Sequence, residues 1–212
     1  MSTGSAARRL MTLGEFFEWA GEPDTRYELI GGVPVAMTPP RRAHCVIVAN
    51  LTHLMVGGLR DRPPCAAAVE AGIVSPSDSL SYYQADLAVS CAPQPSDQIE
   101  MTDPVLVVEV LSPTTESHDR KVKLVDYRRI GSVREVLLVD SARPFCELHR
   151  RIDATHWLVE LVVDMDATIV LESVGVALAL EHIYEKVSFE TTEGGEGAGA
   201  APASAGSPDI PT

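Results

Sequence analysis

The sequence predicts an α/β fold: a central mixed β-sheet flanked by helices, with a β-rich second half. Three observations carry that expectation. Residues 105–111, Val-Leu-Val-Val-Glu-Val-Leu, are nearly continuous apolar sequence, as in a central strand covered on both faces. A helical pattern follows at 117–130, stopped by Gly131. Beyond it, short strand patterns recur at 134–140, 144–151, 155–163 and 168–171.

The other elements follow in order. Thr12-Leu13-Gly14-Glu15 reads as a capping box opening a short helix through about Ala20. Two apolar runs around Gly31-Gly32 read as a β-hairpin, and Pro34 makes its second arm an edge strand. Residues 43–60 carry Val46, Ile47, Leu51, Leu54, Met55 and Leu59 at helical spacing. After Pro63-Pro64 come strand patterns at 65–74 and 82–90, and 178–187 reads as a closing helix. This gives a lead-in at 1–11, one domain at 12–187, and a Gly/Ala/Pro-rich tail at 188–212 with four acids and no base, expected to be disordered.

Composition narrows the function classes. No apolar run reaches the roughly 18 residues of a membrane span, and Arg8-Arg9 precede no signal-peptide-like stretch, so the expected compartment is the cytoplasm. The four cysteines, Cys45, Cys65, Cys91 and Cys146, show no metal spacing and read as reduced, buried thiols. A net charge of −13 argues against a simple nucleic-acid-binding protein. Yet residues 119–151 hold nine basic residues against five acids, either a solvated helix face or a phosphate-facing patch.

Glu109 is the residue that asks for an explanation. It interrupts an aliphatic strand, and a buried lone carboxylate needs a partner, a proton or a metal. Asp86 lies in a second strand pattern, and if the two strands are neighbours both acids can converge on one ion, as in a Mg²⁺ site. Lys123, on the helix after Glu109, can orient a water or offset phosphate charge. The plain alternatives are a buried salt bridge for Glu109 and a surface ion pair of Lys123 with Asp119 four residues before it. Glu70 is a weak further candidate. His53, His118, His149, His156 and His182 show no ligand spacing.

Tyr27-Glu28-Leu29-Ile30, His44, Asp86, Val107-Val108-Glu109-Val110-Leu111-Ser112-Pro113, Asp119-Arg120 with Lys123 and Tyr127, and the strand at 136–140 together resemble the Uma-type family of restriction endonucleases in the PD-(D/E)XK nuclease superfamily. The resemblance runs from about Thr12 to Val187. It implies a restriction-endonuclease-like core and a Mg²⁺- or Mn²⁺-dependent endonuclease acting on DNA, possible as a homodimer, with no membrane role. Asp86 and Glu109 would bind the metal with the main-chain carbonyl of Val110. Lys123 and Glu28 would complete the catalytic set, and His44 would contact substrate or Glu28. Arg120, Arg128 and Arg129, within the basic window, are the further candidates for substrate contact. Two departures stand out: Ala85 replaces the proline before the aspartate, and Leu111 takes the place of the superfamily lysine, so Lys123 must serve instead. The competing function is a catalytically inactive nuclease-like module that binds nucleic acid or protein.

Overall fold

A computed structural model describes residues 9–189. The expected lead-in and tail fall mostly at 1–8 and 190–212, outside the described residues.

The capping box forms as expected. Thr12 accepts from the Glu15 amide, and the Glu15 carboxylate accepts from the Thr12 amide, opening α1 (Leu13–Glu18). The hairpin of β1 (Tyr27–Ile30) and β2 (Val33–Ala36) turns on Gly31 and Gly32, both at positive φ (54° and 77°). Such a two-residue turn matches the twist of its arms, and only glycine takes both positions without strain. Then come α2 (Arg42–Leu59), β3 (Ala66–Val74), β4 (Tyr82–Ser90) and β5 (Pro104–Leu111). The helix expected at 117–130 is α3 (Glu116–His118), a π-helical stretch (Asp119–Lys123) and α4 (Leu124–Tyr127). After it run β6 (Glu135–Asp140), β7 (Cys146–Arg151), β8 (Trp157–Val162), β9 (Thr168–Leu171), β10 (Val176–Ala179) and α5 (Leu180–Ile183).

The main sheet has the order β2-β1-β4-β5-β6-β7-β8, with β3 paired to β4. Only β5 and β6 run parallel, joined by the helical crossover of α3 and α4. β5 is covered on both faces. Leu106, Val108 and Val110 pack with Ile47, Leu51 and Met55 of α2. Val107 and Leu111 pack with Leu124 and Tyr127 of α4. Glu109 therefore shares the α4 side, by the period-2 alternation of a strand.

Two expectations need correction. The helix expected at 178–187 is instead β10 followed by the short α5. Val176 and Leu178 alternate inward, and Thr168–Leu171 supplies the antiparallel partner that decides between the two patterns. The cysteines are not all buried thiols. Ala66 pairs with Ser90, which brings Cys65 opposite Cys91, and the two form a disulfide. Cys45 is exposed, and only Cys146 is a buried thiol.

Candidate active site

The β4–β5 ladder ends at Leu87 opposite Val108. Beyond that point the strands part, and the Asp86 carboxylate takes the place of a backbone acceptor, receiving the Val110 N–H at 2.7 Å. On the other side of β4, the pairing with β3 skips from Val69–Leu87 to Ala71–Ala85. Glu70, in the left-handed region at φ 50°, and Asp86 face each other there without pairing, and the register is the same on both sides. The ladder is thus interrupted on both sides of Asp86. The parted strands open on a cleft of about 870 Å³ lined by His44, Asp86, Glu109, Val110, Asp119 and Lys123, among others.

Lys123 sits at the centre of the acids. Its Nζ lies 2.8 Å from Glu28, 3.5 Å from Glu109 and 3.5 Å from Asp119. All four are buried. The Asp119–Lys123 contact is thus no surface ion pair. The π-helical stretch, closed by the Leu124 N–H on the Asp119 carbonyl, carries both residues into the protein, as π turns do at many functional sites. Glu28 is fixed from β1 and also accepts the Gln84 amide at 2.9 Å. Tyr127 donates to Glu109 at 2.6 Å. Burial, reinforced by the charges of Asp86 and Asp119, raises the Glu109 pKa well above the usual carboxylate range despite Lys123 and Tyr127. Asp119 is raised likewise, by burial first. The Lys123 ammonium also gains: burial opposes its charge, but Glu109, Glu28 and Asp119 outweigh that and raise its pKa.

His44 projects from α2 to the same place. Its Nε2 is 3.1 Å from Asp86, and its Nδ1 is 3.0 Å from the Val110 carbonyl. Both nitrogens face acceptors, which suits the protonated ring. Burial pulls the His44 pKa down, but Asp86 and the Val110 carbonyl outweigh it and the net shift is upward. Glu70 lines the cleft and pairs with Arg26.

The sequence reading thus has Glu28, His44, Asp86, Glu109, Val110 and Lys123 together at one place. Asp119 belongs there too, though the sequence reading gave it no role in the site and offered it only as the partner of a surface ion pair. The signal available was Asp119's four-residue spacing from Lys123, repeated at Tyr127. The three candidate arginines lie elsewhere. Arg120 is spent on Glu116 (2.8 Å) and Glu147 (2.7 Å). Arg128 contacts His149 and stacks over Trp157. Arg129 bonds Ser77 and Asp126. None of them lines the cleft.

Among the described residues, no three His, Cys, Asp or Glu side chains stand in metal-holding geometry. The candidate set is two carboxylates and one carbonyl. These hard oxygen donors suit Mg²⁺ or Mn²⁺. The charge balance fits as well. With Glu28, Asp86, Glu109 and Asp119 all ionised, one lysine and one histidine leave the cluster negative, and the raised pKa values of Glu109 and Asp119 express that imbalance.

Comparison with known proteins bears on the fold and the family. A crystal structure titled as a "putative nuclease belonging to DUF820" from Anabaena variabilis superposes with TM-score 0.63 at 17% identity, covering 82% of this chain and 97% of that one. That likeness fixes the fold. Two uncharacterized proteins of Synechocystis are related in sequence. One is 29% identical over 176 residues, 82% of this chain and 92% of the relative. The other is 25% identical over 168 residues, 77% and 94%. Residues 13–181 match the family model described as "Putative restriction endonuclease", and the chain belongs to that family, Uma2.

Proposed function

We propose that this protein is a divalent-metal-dependent endonuclease that hydrolyses DNA phosphodiester bonds, with Asp86, Glu109 and the Val110 carbonyl as metal ligands. The observation that carries the reading is the negative charge left over at the cleft. Several carboxylates converge on one buried ammonium, so the site takes up either protons or an added cation, and a divalent ion is the balance that keeps the acids ionised. Mg²⁺ or Mn²⁺ bound there would act as a Lewis acid and lower the pKa of a bound water.

The chain's own groups have separate tasks. Tyr127 holds one Glu109 oxygen, which fixes the direction of the carboxylate. Glu28 and Asp119 hold the Lys123 ammonium against the cleft wall, where it can offset charge developing on a phosphate. His44 bonds the same Asp86 and Val110 groups that would bind metal. The imidazolium and a cation therefore compete for them, and His44 can retain or release a proton at Nε2 as the site fills. Arg41, at the mouth of the cleft, takes over the phosphate contact expected of Arg120, Arg128 and Arg129.

The test is cleavage of supercoiled plasmid and of circular single-stranded DNA with Mg²⁺ or Mn²⁺. Wild type should cut, Asp86→Ala and Glu109→Ala should not, and Lys123→Ala should be slower by roughly 10²-fold or more. Wild-type-like cutting by folded Glu109→Ala would reject the site. A wild-type protein that cuts nothing would favour the inactive, binding-only module.

A further inference from the structure

The cleft does not end at the acids. Its wall is the outward face of α2 along the whole helix: Arg41, Cys45, Val48, Thr52, Val56 and Arg60 all line it. They recur every three or four residues, as one helix face requires. The opposite face, Ile47, Leu51, Met55 and Leu59, is buried. An 18-residue helix makes this wall about 27 Å long at ~1.5 Å per residue. Across from it, β3 contributes Val69. Val56 is 52% exposed and Val69 49%, so the groove has an open aliphatic bed leading to the acid cluster. Arg41 and Arg60 are the residues flanking α2 at its two ends, and both are exposed. The other cations lining the cleft are committed, Arg26 to Glu70 and Lys123 to Glu28. Arg41 and Arg60 are left without an ion pair among the described residues.

We propose that this groove seats a single strand of DNA laid along α2, its backbone held by Arg41 and Arg60 and its bases resting on Val48, Val56 and Val69, with the scissile phosphate at the acid cluster. The proposal rests on the nuclease reading above and narrows its substrate. Charge decides against a duplex. Duplex affinity rests largely on Lys/Arg contacts to phosphates of both strands, whereas this groove offers two uncommitted arginines in a chain of net charge −13. Size decides the same way. A cleft of about 870 Å³ is of the size of pockets that enclose small ligands, roughly 300–1,000 Å³, and matches a few unpaired nucleotides. Apolar surface is the remaining argument. Unpaired bases present faces that gain by leaving water, while a duplex keeps those faces in its own stack.

The experiment measures binding and cutting separately on the full-length protein. Fluorescence anisotropy in Ca²⁺ would use a labelled 15-nucleotide DNA strand, its duplex and its RNA counterpart. The single DNA strand should bind at least tenfold more tightly than the duplex. Val56→Glu and Arg60→Ala, both at exposed positions, should each weaken that binding at least fivefold without changing the melting temperature. Equal or tighter duplex binding would overturn the proposal, as would a single-strand affinity indifferent to both substitutions. Tighter binding of the RNA would overturn the choice of DNA. With Mn²⁺, cutting of the duplex in preference to the single strand would overturn the proposal and leave the nuclease reading standing. Cutting of none of the three would overturn the nuclease reading, while single-strand binding lost in Val56→Glu would still support the groove.

Discussion

Glu109 and Glu135 lie on the adjacent parallel strands β5 and β6, 3% and 1% exposed, yet their surroundings differ in kind. Glu135 is fully provided for. Arg150 pairs with it at 2.9 Å, the Glu172 and Ser173 amides donate at 3.2 and 2.9 Å, and the Ser173 hydroxyl adds another bond. Glu109 has Tyr127 and a share of Lys123, which it divides with Glu28 and Asp119. Burial alone therefore does not mark a functional carboxylate, since both are buried. What separates them is unbalanced charge. A scaffold acid has its oxygens bonded and its charge matched, whereas the cleft acids carry an excess of negative charge that a proton or a cation must neutralise. Asp126 is a second scaffold acid. Burial works against its ionisation, but Ser77, Ser75, Tyr83 and Arg129 outweigh that and lower its pKa.

Substituting both glutamates by glutamine tests this contrast most strongly. Glu109→Gln should abolish metal-dependent cutting yet melt as high as metal-free wild type or higher, because Lys123 keeps Glu28 and Asp119. Glu135→Gln should leave Arg150 beside a neutral group and cost about 3–5 kcal/mol. In a domain of this size that lowers the melting temperature by roughly 6–20 °C, with metal-dependent cutting retained below the melt. Thermal melts and cleavage assays on the pair read both effects. If Glu109→Gln is the less stable protein, Glu109 is scaffold too and the contrast fails.

Mn²⁺ should bring the next largest effect. A cation that binds only the folded chain stabilises it by about 2.7 kcal/mol at 100 times its dissociation constant, roughly 5–10 °C here. The shift should appear in wild type and Glu135→Gln and be absent in Glu109→Gln. Mn²⁺ should act at lower concentration than Mg²⁺. Calorimetric melts across a metal titration would check this, and a wild type indifferent to millimolar Mn²⁺ would remove the metal site.

The strands around Glu109 were legible because apolar runs and turn residues are local signals. The site was legible because a carboxylate within such a run has few inexpensive explanations. By the same logic Glu135, in Glu-Val-Leu-Leu-Val-Asp, deserved equal suspicion, and its partner Arg150 comes from a different strand that no local pattern announces. Three other features depended on pairing at a distance: the Cys65–Cys91 disulfide, the break in the β3–β4 ladder at Glu70 and the strand at Val176–Ala179. Charge counting also misled. The basic window is net positive in sequence, but Arg120, Arg150 and Arg151 spend their guanidinium groups on Glu147, Glu135 and the Val133 carbonyl inside the domain. A sequence shows how many cations a segment has and not how many remain free.

Arg128 puts that last point to a test. Its guanidinium meets His149 Nδ1 at 2.5 Å and lies 5.5 Å from the centre of the Trp157 ring. Arg128→Ala should cost about 1–2 kcal/mol, the worth of a hydrogen bond to a charged group and a partly exposed cation–π contact. It should leave nucleic-acid affinity and its salt dependence unchanged. A loss of affinity would return the basic window to the substrate path.

The smallest effect concerns pH, on the scaffold side of the molecule. Burial first, and the Arg128 charge second, hold His149 down at about 4, below its ordinary 6.5. A depressed folded-state pKa means that the unfolded chain binds the proton first as pH falls. His149 therefore contributes stability that is fully present above about 6.5 and is lost as pH falls through that value toward about 4. One proton sets the slope, at most about 1.4 kcal/mol per pH unit. Replacing His149 by Gln should flatten the dependence of stability on pH within that window and nowhere else. Arg128→Ala should narrow the window from its acid end, because removing the neighbouring cation lets His149 protonate in the folded protein at higher pH. Denaturant titrations from pH 4 to 8 on the three proteins would measure both changes. An unchanged acid slope in His149→Gln would mean that His149 titrates alike in the folded and unfolded chains. The acid sensitivity would then lie with buried carboxylates such as Asp126, whose depressed pKa gives stability that is lost at still lower pH.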